Sequence, residues 1–340
     1  MRPTYRPHGP TRRAWLMLGT NGGPCDQGCV MCYYHHAPKA EKRWFHLDAL
    51  KAGANRIRHY YGLEEITLSG GEPSILPGIV DLVRHCADIG LKPLINTHGA
   101  NNTERFVADC EDAGLAHWIV SLQGMEAAHD AVTQRPGSWR KATANLANPK
   151  RPVLINTTAT RLNMADLPAL AAWLRDHLPP TVWHVLNFLP FGWEQHPGEA
   201  TFAATLDEIG PLLRAAFDVL ESAGWECNVQ YYPLCVGARY GIAENVMTFY
   251  QGQWSPWDWD IIHTRRVTRQ QIEQCGGVEA TRRLLIDGVV KDRRNERCNN
   301  CRFQPICEMV PPGADLSVLD PRPGEPVTDI QHFEHGGEFA

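Results

Sequence analysis

From residue 14 to residue 224 the chain alternates short apolar runs with amphipathic stretches, and this alternation restricts the fold more than any other feature. The apolar runs are Ala14–Leu18, Glu65–Ser69, Pro93–Thr97, Trp118–Leu122, Val153–Thr158 and Val182–Asn187. They are too short for buried helices and nearly continuous in apolar character, as strands covered on both faces are. Helical spacing follows each of them: 48–61, 77–89 ended by Gly90, 103–113 ended by Gly114, a longer region reaching Asn148, 166–178, and 205–224. Six strands each followed by a helix predict a parallel sheet built from right-handed βαβ units.

Polar residues collect just beyond the strand ends, at Ser69-Gly70-Gly71-Glu72-Pro73, Thr97-His98-Gly99, Ser121-Leu122-Gln123-Gly124, 158–163 and 187–193. Sites in α/β folds lie at those carboxyl ends. The loop after the first strand carries Cys25, Cys29 and Cys32 in a C-x3-C-x2-C pattern. Eleven cysteines are an odd number, and six fall in two tight clusters, which reads as metal binding in a reducing compartment. Soft thiolates suit zinc or an iron–sulfur cluster. A structural zinc would require a fourth ligand, which His35 or His36 could supply; an iron–sulfur cluster could keep one iron open for chemistry.

The remaining composition excludes several classes. A net charge of −5 argues against a nucleic-acid partner. No apolar run approaches the ~18 residues of a membrane span, and residues 1–8 lack the apolar core of a secretory signal, so the chain reads as cytoplasmic.

The cysteine loop after strand one, with Gly70-Gly71-Glu72-Pro73 after strand two, resembles the radical S-adenosylmethionine (radical SAM) superfamily. Ser121-Leu122-Gln123-Gly124, His129-Asp130 and Asn163 match in order and placement, and the resemblance covers roughly 13–225. It implies a partial (β/α)6 TIM-like barrel in which Cys25, Cys29 and Cys32 hold a catalytic [4Fe–4S] cluster. The open iron would chelate S-adenosylmethionine, and reductive cleavage would give a 5′-deoxyadenosyl radical that abstracts hydrogen from substrate. The cofactor contacts implied are Met31, Gly70, Gly71, Glu72, Pro73, Ser121, Asn156, Thr158 and Leu189. Glu72 or its neighbouring carbonyls would accept from the methionine ammonium, and the glycines would let the backbone approach closely. Where the family pattern usually has an aromatic residue, Asn and Asp, this chain has Met31, His98 and Gln123. The last two, with the rim residues Arg161, Trp193, Glu194 and His196, are expected to meet substrate.

A second set, Cys298-x2-Cys301-x5-Cys307, resembles the auxiliary-cluster region of the SPASM and twitch subgroup. Pro311 stands where a further SPASM cysteine would fall, so a single twitch-like auxiliary [4Fe–4S] cluster is the better match. Its expected fourth ligand is Cys235, with Cys275 and Cys227 in reserve; zinc is the competing occupant. Cys86 and Cys110, inside helical patterns, read as small buried hydrophobes. The expected organisation is an N-terminal lead (1–12), the barrel (13–225), an auxiliary lobe (226–312) and a tail (313–340). Trp254, Trp257 and Trp259 read either as a wall over substrate or as a plug between barrel and lobe.

The expected function is hydrogen abstraction from a small-molecule substrate in a biosynthetic pathway, with flavodoxin or ferredoxin as electron donor. The lean towards a small molecule comes from the absence of a leader-peptide recognition module before the barrel. A peptide-modifying maturase, transfer of the 3-amino-3-carboxypropyl group, and a non-catalytic zinc or iron–sulfur regulator are the alternatives.

Overall fold

The computed structural model describes residues 13–34, 36–60, 63–188 and 202–247, with residues 273, 274, 276, 296–304, 307, 317, 319 and 321–324. Eight strands follow one another across one sheet in sequence order, and helices fill the connections. This is the parallel α/β sheet that the alternation of the sequence predicts, in the partial TIM-like form that the resemblance implies. Every pairing resolved between neighbouring strands is parallel.

The chain divides into two compact units, 12–158 with 181–183, and 159–180 with 184–340. The first unit begins with β1 (Arg13–Met17), β2 (Glu65–Ser69), β3 (Lys92–Thr97), β4 (His117–Ser121) and β5 (Val153–Ala159, as far as Thr158). Its helices are α1 (Leu47–Asn55), α2 (Ile79–Asp88), α3 (Glu104–Asp112), α4 (Glu126–Thr133) and α5 (Ser138–Asn145). Alternation along the strands puts Ile66, Leu68 and Ile95 into a core with Leu82, Val83 and Val107 of the helices, all almost fully buried. Cys86 and Cys110 are buried among these hydrophobes, as expected for packing residues.

One predicted helical region is two helices. Gln134 (φ 54°) and Gly137 (φ 76°) take left-handed backbone between α4 and α5, which breaks the helix. Asp130 closes the corner by accepting from the Gly137 N–H at 2.6 Å and the Trp139 N–H at 2.9 Å.

The second unit holds α6 (Leu167–His177), the end of β6 (Val182–Asn187) and α7 (Leu206–Glu221). β7 (Glu226–Gln230), α8 (Leu234–Arg239) and β8 (Val246–Met247) follow. A capping box starts α7: Thr205 Oγ1 accepts from the Glu208 N–H and Glu208 accepts from the Thr205 N–H. The strands β7 and β8 extend the sheet past Trp225, where the sequence alternation ends. Among the described residues no helix is long and apolar enough to cross a membrane.

Candidate active site

In the first unit the cysteine loop leaves β1 and is held by its neighbours on both sides. On the β2 side, the Glu72 N–H donates to Pro24 O at 2.9 Å. Gly70 (φ 101°) and Gly71 (φ 58°) need left-handed backbone, and a Cβ at Gly71 would stand 2.1 Å from Pro24 O. The glycines that the sequence reading assigned to close cofactor approach are thus already required by the loop that precedes Cys25. On the α4 side, Gly28 N–H donates to Thr133 O and Val30 N–H to Val132 O, at 3.1 and 2.9 Å. The Arg135 guanidinium donates to Asp26 O at 3.0 Å.

Side chains complete the frame. Gln27 Nε2 donates to Ser138 Oγ at 2.7 Å, and Ser138 Oγ lies 3.2 Å from His129 Nε2. His129 Nδ1 accepts from the Gln123 N–H at 3.0 Å, so its proton sits on Nε2. Burial lowers the His129 pKa to about 4, consistent with a neutral ring.

Glu72 occupies the centre of a second network. It is almost fully buried, and its carboxylate accepts from Thr97 Oγ1 (2.6 Å), the Ser74 N–H (3.0 Å) and the His98 N–H (2.9 Å). The His98 ring adds a fourth neighbour, with Nε2 3.3 Å from Glu72 and 2.8 Å from Asp26. Ala100 N–H donates to His98 Nδ1 at 3.1 Å, which leaves Nε2 as the nitrogen bearing the proton towards the carboxylates. Burial lowers the His98 pKa, but Glu72 and Asp26 outweigh it and the net shift is upward. Asp26 is held down to about 2, first by its hydrogen bond to His98.

The three thiols are shifted the other way. Cys25 retains solvent-exposed surface, yet loss of hydration followed by the charges of Glu72, Asp26 and Cys32 raises its pKa to about 12. Burial likewise raises Cys29, where Cys32 and Cys25 add to the effect, and Cys32, where Lys42 opposes it. Thiols coupled in this way gain most from a cation that takes all three as thiolates. The donor set therefore fits a thiolate-ligated metal centre with one ligand position left for something other than this loop.

The remaining predicted residues fall as follows. Ser121 and Asn156 are neighbours in register across β4 and β5. Gln123 is buried and its Oε1 accepts from the Thr158 N–H at 2.8 Å. Pro73 is buried at the start of a single turn after Glu72, and Met31 is half-buried. In the second unit Arg161 pairs with Glu208 at 3.1 Å on the surface. Leu189, Trp193, Glu194, His196, His35, Cys275, Pro311 and the three tryptophans 254, 257 and 259 lie outside the described residues. Sequence reasoning gave no framing role to Asp26, Gln27, Thr97, Arg135 or Ser138. The usable signal was the exchange of Asn for His98 opposite an acid inside the cysteine loop.

The second unit contains another thiol cluster. Cys235, Cys298, Cys301 and Cys307 line one cavity with Pro233, Gln304 and Leu319. Cys235 is in the first turn of α8, and the Cys301 N–H closes a turn onto Cys298 O at 3.1 Å. Cys227 is buried on β7 and is not among the lining residues. All ten described cysteines are thiols.

Fold and rim together define an α/β protein of the partial-barrel class with a three-cysteine loop after its first strand. Residues 22–174 match the model of the radical SAM superfamily, so the chain carries a radical SAM domain. It is 26% identical over 172 residues to an AdoMet-dependent heme synthase of Methanosarcina barkeri, covering 49% of each chain. It is 28% identical over 169 residues to a PqqA peptide cyclase of Bradyrhizobium diazoefficiens, covering 47% of this chain and 43% of that one. The matched segment thus spans less than half the length of these curated relatives. In fold it is similar to Streptococcus suis SuiB bound to precursor peptide SuiA, with a TM-score of 0.53 at 14% identity. That likeness covers 73% of this chain and 54% of SuiB.

Proposed function

We propose that this chain is an enzyme that reductively cleaves S-adenosylmethionine at a [4Fe–4S] cluster and abstracts hydrogen from a substrate in a biosynthetic pathway. The observation that carries the reading is the three-thiol loop at the end of β1, locked against Gly70-Gly71-Glu72 by the Pro24–Glu72 hydrogen bond. Cys25, Cys29 and Cys32 would hold the cluster, which when bound supplies the electron and the open iron for sulfonium cleavage.

The residues of the chain do the rest. With its carboxylate already accepting from Thr97, Ser74 and His98, Glu72 positions the rim, and the carbonyls of its turn are left to accept from the ammonium of the cofactor. Asp26 and Gln27 fix the cysteine loop from its two flanks through His98 and Ser138. The half-buried inner-face positions Ser121, Asn156 and Thr158 remain the candidates for the ribose and carboxylate of the cofactor.

An auxiliary iron–sulfur cluster in the second unit is supported by the four cysteines around one cavity, with Cys235 as fourth ligand. For the substrate, small molecules were the expectation from sequence. A peptide is favoured as the second reading by the similarity to PqqA peptide cyclases. Anaerobic reconstitution followed by addition of dithionite and S-adenosylmethionine tests the proposal: 5′-deoxyadenosine is the expected nucleoside. Methylthioadenosine would support aminocarboxypropyl transfer instead.

A further inference from the structure

The sheet face turned away from the helices in the first unit carries a binding feature outside the cofactor rim. Leu16 lies against Gly53 of α1, which fixes the helix-facing side of β1. Alternation then puts Trp15 on the opposite, inner face. Trp15 is in register with Thr67, and Thr67 with Leu94. Asn96 Nδ2 donates to Ser69 Oγ at 3.3 Å, so these two share a face, and Thr67 shares it with Ser69 by the two-residue period.

Among the described residues, Trp15 Nε1 and Thr67 Oγ1 on this face are buried and have no hydrogen-bond partner. Thr67 as a residue is fully buried. Buried polar atoms are normally satisfied, so two orphans side by side in register mark a place where something else completes the bonding. An indole N–H is donor only and a hydroxyl can donate. An acceptor oxygen would satisfy either of them. Among the described residues the rest of that row is Leu94 and His117, with no lysine or arginine, so a carboxylate there would lose its hydration without a permanent counter-charge. The row lies two residues below the strand ends, about 7 Å beneath the rim that bears the cysteine loop.

We infer that Trp15 and Thr67 form a substrate subsite for an uncharged carbonyl oxygen of the amide type, on the inner face beneath the reaction centre. The inference rests on the proposed function, since it assigns the subsite to the substrate of that chemistry. An amide-bearing substrate, a peptide or a carboxamide, would be anchored here by its carbonyl while a hydrogen above it faces the rim.

The test uses the full chain, reconstituted anaerobically with oxidised cluster and S-adenosylmethionine, with 15N-labelled tryptophan. Comparison with Trp15→Phe identifies the Trp15 indole resonance. N-methylacetamide and acetate are then titrated separately. The expected result is a saturable downfield shift of the Trp15 proton with N-methylacetamide and none with acetate. Thr67→Val should weaken that response at least threefold and Thr67→Ser should retain it. No shift with either probe, or a shift with acetate alone, overturns the subsite. If Trp15→Phe does not fold, the resonance displaced in Thr67→Val but kept in Thr67→Ser serves as the assignment. Nucleoside analysis of the same preparation after reduction with dithionite separates the two claims. 5′-Deoxyadenosine without a shift refutes only the subsite, and a shift without 5′-deoxyadenosine refutes only the radical chemistry.

Discussion

The two thiol clusters of this chain are built differently, and the difference bears on their roles. The rim loop offers three cysteines, and its surroundings are polar: Asp26, Gln27, His98, Glu72 and Arg135 all bond to it or to one another. The cavity of the second unit offers four cysteines, and beside them stand Pro233, Leu319 and Gln304. A three-donor site on a rigid hydrogen-bonded frame leaves a ligand position for exchange. A four-donor site with a largely apolar lining is suited to hold a group closed, as structural or electron-transfer centres are. On the proposed reading, the cysteine count would separate a site for chemistry from a site for storage or support.

The largest effect expected from this contrast is at the rim. Replacing Cys25, Cys29 and Cys32 by Ala should abolish S-adenosylmethionine cleavage and remove about four irons per chain, the content of one cubane cluster. The iron of the second site should remain. Loss of all iron would show that the two sites are not independent. Next comes Cys235→Ala, which reduces the closed site to three donors. Its expected signature is a changed or lost cluster signal by electron paramagnetic resonance with the rim cluster intact. An unaltered spectrum would remove Cys235 from the ligand set.

The polar frame makes its own prediction for the metal-free chain. Glu72→Ala strands the donors of Thr97, Ser74 and His98 in a buried position, and should lower stability by about 3–5 kcal/mol in urea denaturation. A smaller effect should appear with pH. The folded pKa of Asp26, about 2, lies below its unfolded value. Its stabilisation is therefore complete above roughly pH 4 and is lost as pH falls towards 2. For a partly exposed carboxylate this amounts to about 1–2 kcal/mol, and Asp26→Asn should flatten the wild-type slope over that window. Smallest of all, Arg161→Ala should cost under about 1 kcal/mol, because its pair with Glu208 is exposed.

The same contrast explains which parts were legible in the sequence. Strand and helix periodicity revealed β1 to β6 because each is an apolar run ended by Gly or polar residues. The strand β7 was missed because Glu226-Cys227-Asn228-Val229-Gln230 alternates polar and apolar residues and contains no apolar run. The cysteine spacing was legible because ligands must be close in a loop. Cys235 could be proposed but not singled out by spacing, since it comes from another segment. Glu72 read as a cofactor contact, whereas tertiary contacts with Thr97 and His98 occupy its carboxylate; these lie 25 and 26 residues away. His98 and Gln123, expected to face substrate, bond to Asp26 and to the Thr158 N–H, partners that local sequence does not reveal. Local patterns record periodicity and ligand spacing, while long-range hydrogen bonds leave no such trace.

The central claim is that the three-thiol rim generates a 5′-deoxyadenosyl radical. The direct measurement is the nucleoside formed by the anaerobically reconstituted full chain after one-electron reduction in the presence of S-adenosylmethionine. The account predicts 5′-deoxyadenosine with methionine, abolished when Cys25, Cys29 and Cys32 are replaced. Methylthioadenosine, or no nucleoside from a chain with a fully loaded cluster, would contradict it.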